Sequence, residues 1–132
     1  MNQTILPVPA VFIGPHVCSQ LASQLCHLGA RKVLVVTDPG VVRAGIYQRV
    51  VDCLDSCIHE IVCFDRVRPD PELELAREVG QLARQQHFEV IVGLGGGSSL
   101  DLAKIAAALA TNPGDIQEYV GTDKLEHDPL PV

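Results

Sequence analysis

Two short aliphatic runs, each ending abruptly at turn-forming residues, constrain the fold of this chain more than any other feature. Residues 32–37 read Lys-Val-Leu-Val-Val-Thr and stop at an Asp-Pro-Gly turn, and residues 88–94 read Phe-Glu-Val-Ile-Val-Gly-Leu and lead into three glycines. A strand that is apolar on both of its faces is typical of a parallel sheet covered by helices on either side. The two runs therefore predict an α/β fold built on a parallel sheet.

Apolar residues between and around these runs recur at helical spacing, which completes an alternating strand and helix series. Helices are predicted at 17–28, 46–57, 71–86 and 98–110, a short helical piece at 115–120, and further strands at 4–13, 59–64 and 129–132. Pro7 and Pro9 would confine the first strand to a sheet edge. Asp70 is expected to cap the helix that begins at Pro71.

Length and composition narrow the classes of function. The chain has 132 residues, of which 47% are hydrophobic and 20% charged, as expected of one folded domain. Its net charge of -6 argues against nucleic acid as a partner. The longest apolar runs, about seven residues, fall far short of the roughly twenty that cross a membrane. The N-terminus has no secretion signal, so we expect a cytoplasmic protein.

Five cysteines, an odd number without a CxxC pair, favour reduced and mostly buried thiols over a disulfide framework. Cys53, Cys57, His59 and Cys63 lie close together in sequence and are residue types that bind zinc. Because the first two end a predicted helix and the others belong to the next strand, convergence on one metal ion would be accidental. We favour the interpretation without a metal.

The junction after the second aliphatic run carries the clearest functional signal. Gly95, Gly96 and Gly97 allow a close backbone approach to a ligand, and Ser98 with the first amides of the following helix could bind phosphate. Tight packing of strand against helix, with a capping box at 98–101, is the alternative. Asp38 ends the first run and either binds an adenosine ribose or only forms the Asp-Pro-Gly turn. Asp101 and Lys104 are expected to pair along the helix.

Residues 95–104, Gly-Gly-Gly-Ser-Ser-Leu-Asp-Leu-Ala-Lys, resemble the GGGSxxDxAK motif of the iron-containing (group III) alcohol dehydrogenases. Stretches at 35–40, 64–71 and 111–116 resemble other motifs of that family in the same order. The resemblance implies that residues 1–132 are an N-terminal NAD(P)-binding α/β domain. This domain would be Rossmann-like (dehydroquinate synthase-like), truncated, and without the helical metal-binding domain. The family's metal ligands, one Asp and three His of the helical domain, match no position here.

The resemblance also implies site residues. Gly96, Gly97 and Ser98, together with Gly95, would hold the cofactor diphosphate, and Asp38 the adenosine ribose, favouring NAD over NADP. Asp70 stands where the family typically has Asn and is carried over as a further cofactor contact.

The implied function is the cofactor-binding part of an NAD-linked, metal-dependent alcohol dehydrogenase acting on a small alcohol or aldehyde. Iron or another divalent metal would belong to the whole enzyme, expected to be a homo-oligomer, and not to this chain, which alone would be inactive. A stand-alone, non-catalytic nucleotide-binding or interaction module is the alternative.

Overall fold

A computed structural model describes residues 10–54, 58–70 and 72–132. Within them the chain alternates helices with strands, in the α/β pattern predicted. In chain order the elements are α1 (Ser19–His27), β1 (Lys32–Thr37), α2 (Pro39–Arg43), α3 (Ile46–Leu54), β2 (Glu60–Phe64), α4 (Leu73–Gln86), β3 (Val90–Leu94), α5 (Gly97–Thr111) and a 3-10 helix (Ile116–Tyr119).

The three strands form a parallel sheet in the order β2-β1-β3. Val35 at the centre of β1 lies opposite Cys63 of β2 and Val92 of β3. The carboxyl ends of all three strands therefore meet at one edge of the sheet, where the segments after β1 and β3 become neighbours.

Both faces of β1 are buried, which explains its unbroken aliphatic run. Leu34 and Val36 belong to a core cluster shared with α4 and α5, whereas Val33 and Val35 belong to a second cluster with α1 and α3. All four side chains have 0% exposure. The predicted sheet covered on both faces by helices is thus confirmed.

Close packing of α5 depends on small residues. Ala103, Ala106 and Ala107 face the core from α5 and are at most 1% exposed. On the neighbouring α4, a Cβ added to Gly80 would lie 2.4 Å from Cδ1 of Leu109. The two helices therefore approach more closely than larger side chains would permit, and this contact fixes the position of α5 behind β3.

The segment near Pro131 lies along the edge of β3 that β1 leaves open. The Ile91 amide donates to the Pro131 carbonyl at 3.0 Å, and the Leu130 amide donates to the Ala107 carbonyl at 3.1 Å. Residues 129–132 form no strand, so that prediction is wrong in conformation. The hydrogen bond of Pro131 to β3 nevertheless aligns this segment with the sheet.

Two predictions at element ends are also wrong. Asp70 does not cap α4: the N-cap is Glu72, and Asp70 has φ of 48°, a left-handed conformation instead of the extended one that a capping residue adopts. Residues 10–13 form no strand, while the remainder of the predicted strand at 4–13 lies outside the described residues, as does Pro71. The helix predicted at 46–57 is described only to Leu54.

The described cysteines match the expected reduced and mostly buried thiols only in part. Cys26 is disulfide-bonded and exposed. Cys18 is free and exposed, and Cys53 and Cys63 are free and half-buried. Cys57, part of the possible zinc cluster, lies outside the described residues. Within the described ranges, the side chains of His, Cys, Asp and Glu form no group of three or more suited to a metal ion, and no helix there is long and apolar enough to cross a membrane.

Candidate functional site

A cleft of about 540 Å³ opens at the carboxyl edge of the sheet, above the ends of β1 and β3. Three segments form its walls: the end of β1 with α2, the loop after β2, and the start of α5. The lining residues are Asp38, Pro39, Gly40, Arg43, Val67, Arg68, Pro69, Gly96, Gly97, Ser98 and Ser99. Open parallel α/β sheets bind ligands at this edge.

Gly95 makes the sharp turn from β3 toward α5. Its φ is 139°, and a Cβ placed there would lie 2.8 Å from Oγ of Ser99 and 3.1 Å from Oδ2 of Asp38. Both the conformation and the lack of space require glycine at this position. Gly95 therefore brings Asp38 and the start of α5 together, although it does not itself line the cleft.

Gly96 and Gly97 serve a different purpose, since neither has a positive φ. Gly96 is the N-cap of α5, in an extended conformation, and has no side chain with which to cap the helix. Apart from the adjoining residues and the backbone of α5 itself, a Cβ added to Gly96 or Gly97 would meet no atom of the described residues within 4 Å. Both residues line the cleft, and the protein's own packing does not explain these two glycines.

The first turn of α5 thus presents backbone amides to the cleft beside Ser98. The capping box predicted as an alternative at 98–101 is not formed, because the helix begins at Gly97 and its N-cap is Gly96. Asp101 instead forms the expected pair with Lys104, with 3.6 Å between Oδ1 and Nζ. Uncapped amides at the positive end of a helix bind anionic groups such as phosphate.

Asp38 forms the expected turn and also lines the cleft. Its Oδ1 accepts a hydrogen bond from the Val41 amide at 3.0 Å and caps α2. Its Oδ2 lies on the side of Gly95, and the residue lines the cleft. One carboxylate oxygen therefore orders the turn, while the other is placed to accept from a ligand hydroxyl.

Three residues of the site were missed by the sequence reasoning. Thr37 is fully buried, and its Oγ1 donates to the Leu94 carbonyl at 2.6 Å, which ties the ends of β1 and β3 together beneath the cleft. Arg43 in α2 and Arg68 after β2 bring two positive charges to the walls. Thr37 could have been noticed as the one hydroxyl at the end of an aliphatic strand, whereas no local signal marks Arg43 or Arg68.

Asp70, like Gly95, is a predicted site residue that does not line this cleft. It follows Pro69 of the cleft wall but is exposed and absent from the lining. Its assignment to cofactor binding stays a prediction.

The side chains and backbone groups that line the cleft are suited to binding a polar ligand. Among the described residues the lining contains carboxylate, guanidinium and hydroxyl groups with backbone amides, and no His, Cys, Lys or Tyr. The partly buried Tyr47 and Cys63 lie apart from the cleft, and burial raises the pKa of Tyr47 to about 12 and also raises the pKa of the Cys63 thiol. A proton-transfer set is therefore not assembled within the described part of the cleft.

A second cavity of about 470 Å³ lies between α5 and the segment around the 3-10 helix. Its walls include Ile105, Leu109 and Ile116, with Lys104 and Lys124 at its margin. It contains none of the residues singled out in the sequence for cofactor binding.

A parallel sheet with helices on both faces and a glycine-lined cleft at its carboxyl edge defines a Rossmann-like α/β domain. The family profile described as iron-containing alcohol dehydrogenase matches residues 8–132. The chain therefore belongs to the iron-containing alcohol dehydrogenase family, as its motifs implied.

Similar proteins agree with this membership. Long-chain-alcohol dehydrogenase 1 of Geobacillus thermodenitrificans is 36% identical over 126 residues, which are 93% of this chain and 32% of that protein. The structure of NADH-dependent butanol dehydrogenase A from Thermotoga maritima matches with a TM-score of 0.84 and 30% identity, covering 98% of this chain and 33% of the other. The structure of sulfoacetaldehyde reductase from Bifidobacterium kashiwanohense in complex with NAD+ matches with a TM-score of 0.79 and 27% identity. The match covers 89% of this chain and 31% of the other. The chain thus spans about one third of the length of these proteins.

Proposed function

We propose that this chain binds NAD in the cleft above β1 and β3, as the N-terminal cofactor-binding domain of an alcohol dehydrogenase. The observation that carries the proposal is the open space at Gly96 and Gly97, two glycines that line the cleft and whose absence of a side chain no packing contact explains. The residues present fit the cofactor: uncapped amides for the diphosphate and a carboxylate for a ribose.

Each proposed contact has a separate chemical basis. Gly96, Gly97 and Ser98 bind the diphosphate, and Gly95 shapes the turn that presents them. Asp38 accepts hydrogen bonds from the adenosine ribose hydroxyls through the oxygen that does not cap α2. A carboxylate repels a 2′-phosphate, so NAD is the preferred cofactor over NADP. Asp70 is retained as an outer contact of the cofactor. Its ionised carboxylate can only accept hydrogen bonds, whereas an Asn at this position would also donate them.

The catalysed reaction we propose for the whole enzyme is hydride transfer between a small alcohol and its carbonyl compound. Bound NAD supplies the hydride acceptor, and a divalent metal such as iron would polarise the substrate oxygen. The described residues provide no ligand cluster for that metal. The role of this chain is to bind and orient the cofactor, and by itself it turns over no alcohol. Assembly of the whole enzyme as a homo-oligomer is part of the same proposal.

Calorimetric titration of NAD, NADP and ADP-ribose into the wild-type chain and a Gly97→Val variant tests the proposal. Valine adds three carbons that the cleft must accommodate, while the open space at Gly97 predicts an unchanged fold. We expect NAD and ADP-ribose to bind the wild type and to lose at least about tenfold in affinity in the variant, equivalent to about 1.4 kcal/mol. Gly97→Ala should give a smaller loss.

Lys104→Ala is the matched control, because Lys104 lies on the same helix but at the second cavity. Its affinity for NAD should equal that of the wild type. Equal binding of NAD by the wild type and Gly97→Val, with both proteins folded, would refute the assignment of this cleft.

A further inference from the structure

Arg43 and Arg68 stand out because they line the cleft and form no ion pair with any described residue. Within the described part of the chain, the ion pairs of arginine involve Arg66 with Glu78 and Arg77 with Glu74 and Asp115. Neither cleft arginine has an acidic group within 4.0 Å among the described residues. Their charges are therefore available to a ligand.

The position of the two arginines gives the cleft a charge opposite to that of the protein. Asp38 contributes the one negative side chain of the lining, and Arg43 and Arg68 contribute two positive ones. The protein as a whole has a net charge of -6. A positive cleft on an acidic protein concentrates anions at that place.

The arginines also stand on different walls. Arg43 belongs to the last turn of α2, which follows β1, whereas Arg68 belongs to the loop that follows β2. The start of α5 with Gly97 forms the third wall. An anion bound at Gly97 would thus be approached by one cation from each of the other two segments.

We infer that Arg43 and Arg68 are phosphate-binding residues that clamp the diphosphate of the dinucleotide against the start of α5. This inference rests on the proposed function and adds two charged side chains to its backbone cradle. Guanidinium groups form paired, charge-assisted hydrogen bonds to phosphate oxygens, which backbone amides alone do not provide.

The test compares Arg43→Ala and Arg68→Ala with Arg49→Ala by calorimetry, using ADP-ribose, adenosine, NAD and NADP. Arg49 is a matched control, since it is an exposed arginine of α3 outside the cleft lining. Each cleft variant should weaken ADP-ribose and NAD binding about three- to tenfold at low salt, an effect that falls as salt screens the charges. Binding of adenosine, which has no phosphate, should stay unchanged, and Arg49→Ala should bind every ligand as the wild type does.

Comparison of NAD with NADP shows which phosphate the arginines contact, the shared diphosphate or the 2′-phosphate of NADP. Equal losses for NAD and NADP support contact with the shared diphosphate, whereas a loss confined to NADP would place the arginine at the 2′-phosphate and overturn the clamp. Arg43→Lys and Arg68→Lys should recover part of the lost affinity, because the charge is kept.

The calorimetric results distinguish a failure of the arginine clamp from a failure of the proposed NAD site. Cleft variants that bind ADP-ribose as tightly as the wild type, beside a Gly97→Val variant that does not, would overturn the clamp alone. A wild-type chain that binds no ADP-ribose would overturn both the clamp and the proposed function.

Discussion

Replacing Asn112 by alanine is expected to be among the most damaging single changes to this fold. Asn112 follows α5, is fully buried, and joins the end of that helix to the C-terminal segment. Its Nδ2 donates to the carbonyls of Ala108 at 2.9 Å and His127 at 3.0 Å. Its Oδ1 accepts from the amides of Glu126 and His127, both at 2.9 Å.

These contacts give the size of the effect. The side-chain amide has two donor hydrogens and two acceptor lone pairs, so these four bonds use its full capacity. Oγ1 of Thr111 lies at 3.0 Å from Nδ2 as a further, shared acceptor. At about 1 kcal/mol net for each hydrogen bond, Asn112→Ala should lower the free energy of unfolding by roughly 3 to 4 kcal/mol. This is a large share of the ~5–15 kcal/mol that stabilises a typical domain.

Urea unfolding followed by circular dichroism measures the loss, with Gln48→Ala as the control. Gln48 is an exposed amide of α3 that makes one side-chain hydrogen bond, to Asp52 at 2.7 Å, and its replacement should cost under about 0.5 kcal/mol. A loss below about 1 kcal/mol for Asn112→Ala would refute the reasoning that buried hydrogen bonds hold the C-terminal segment in place.

Two further changes test the packing and the electrostatics. Gly80→Ala places a Cβ 2.4 Å from Cδ1 of Leu109, and we expect a net loss of about 1 to 2 kcal/mol after the helix propensity of alanine is set against the strain. Leu109→Ala removes the 2.4 Å contact but keeps the Cβ of residue 109, 3.0 Å from the added Cβ. In that background urea unfolding should show a smaller loss from Gly80→Ala, and an equal loss in both backgrounds would contradict the packing argument. The Arg77 side chain, with 2.6 Å from its Nε to Oδ2 of Asp115, lowers the pKa of that carboxyl. Because the pKa is lowered in the folded state, the ionised carboxylate stabilises the fold above about pH 4, and this contribution is lost as the pH falls further. The melting temperature of Asp115→Asn should therefore fall less on acidification than that of the wild type. Equal dependence of the two melting temperatures on pH would refute a stabilising ion pair.

The sheet could be predicted from sequence because its signal is local. Val33 to Val36 must bury side chains on alternating faces, and both faces are covered, so every position of the run is aliphatic. The glycines after β3 were recognised for the same reason, since a turn at the end of a buried strand is marked by residues next to one another. The individual purposes of Gly95 and Gly97 were not distinguishable, because the first depends on Asp38, 57 positions earlier in the chain.

The other site features depend on contacts that no local pattern records. α2 has five residues, too few to show a helical period, and an Asp-Pro-Gly sequence is equally typical of a turn. Arg43 and Arg68 become neighbours of the same cleft only through the parallel pairing of β1 with β2. Asp70 illustrates the opposite error, because Asp before Pro is a common helix start, whereas here it adopts a left-handed conformation before the helix.

The central claim, that NAD binds at the carboxyl ends of β1 and β3, is tested most directly by nuclear magnetic resonance of the isotope-labelled chain titrated with NAD. Amide shifts locate a ligand without any mutation. We predict that the perturbed amides cluster in the three wall segments, 38–43, 67–69 and 96–99, with the largest changes at Gly97 and Ser98. Shifts centred on the second cavity, around Lys104 and Leu125, or an absence of shifts at saturating NAD, would contradict the claim.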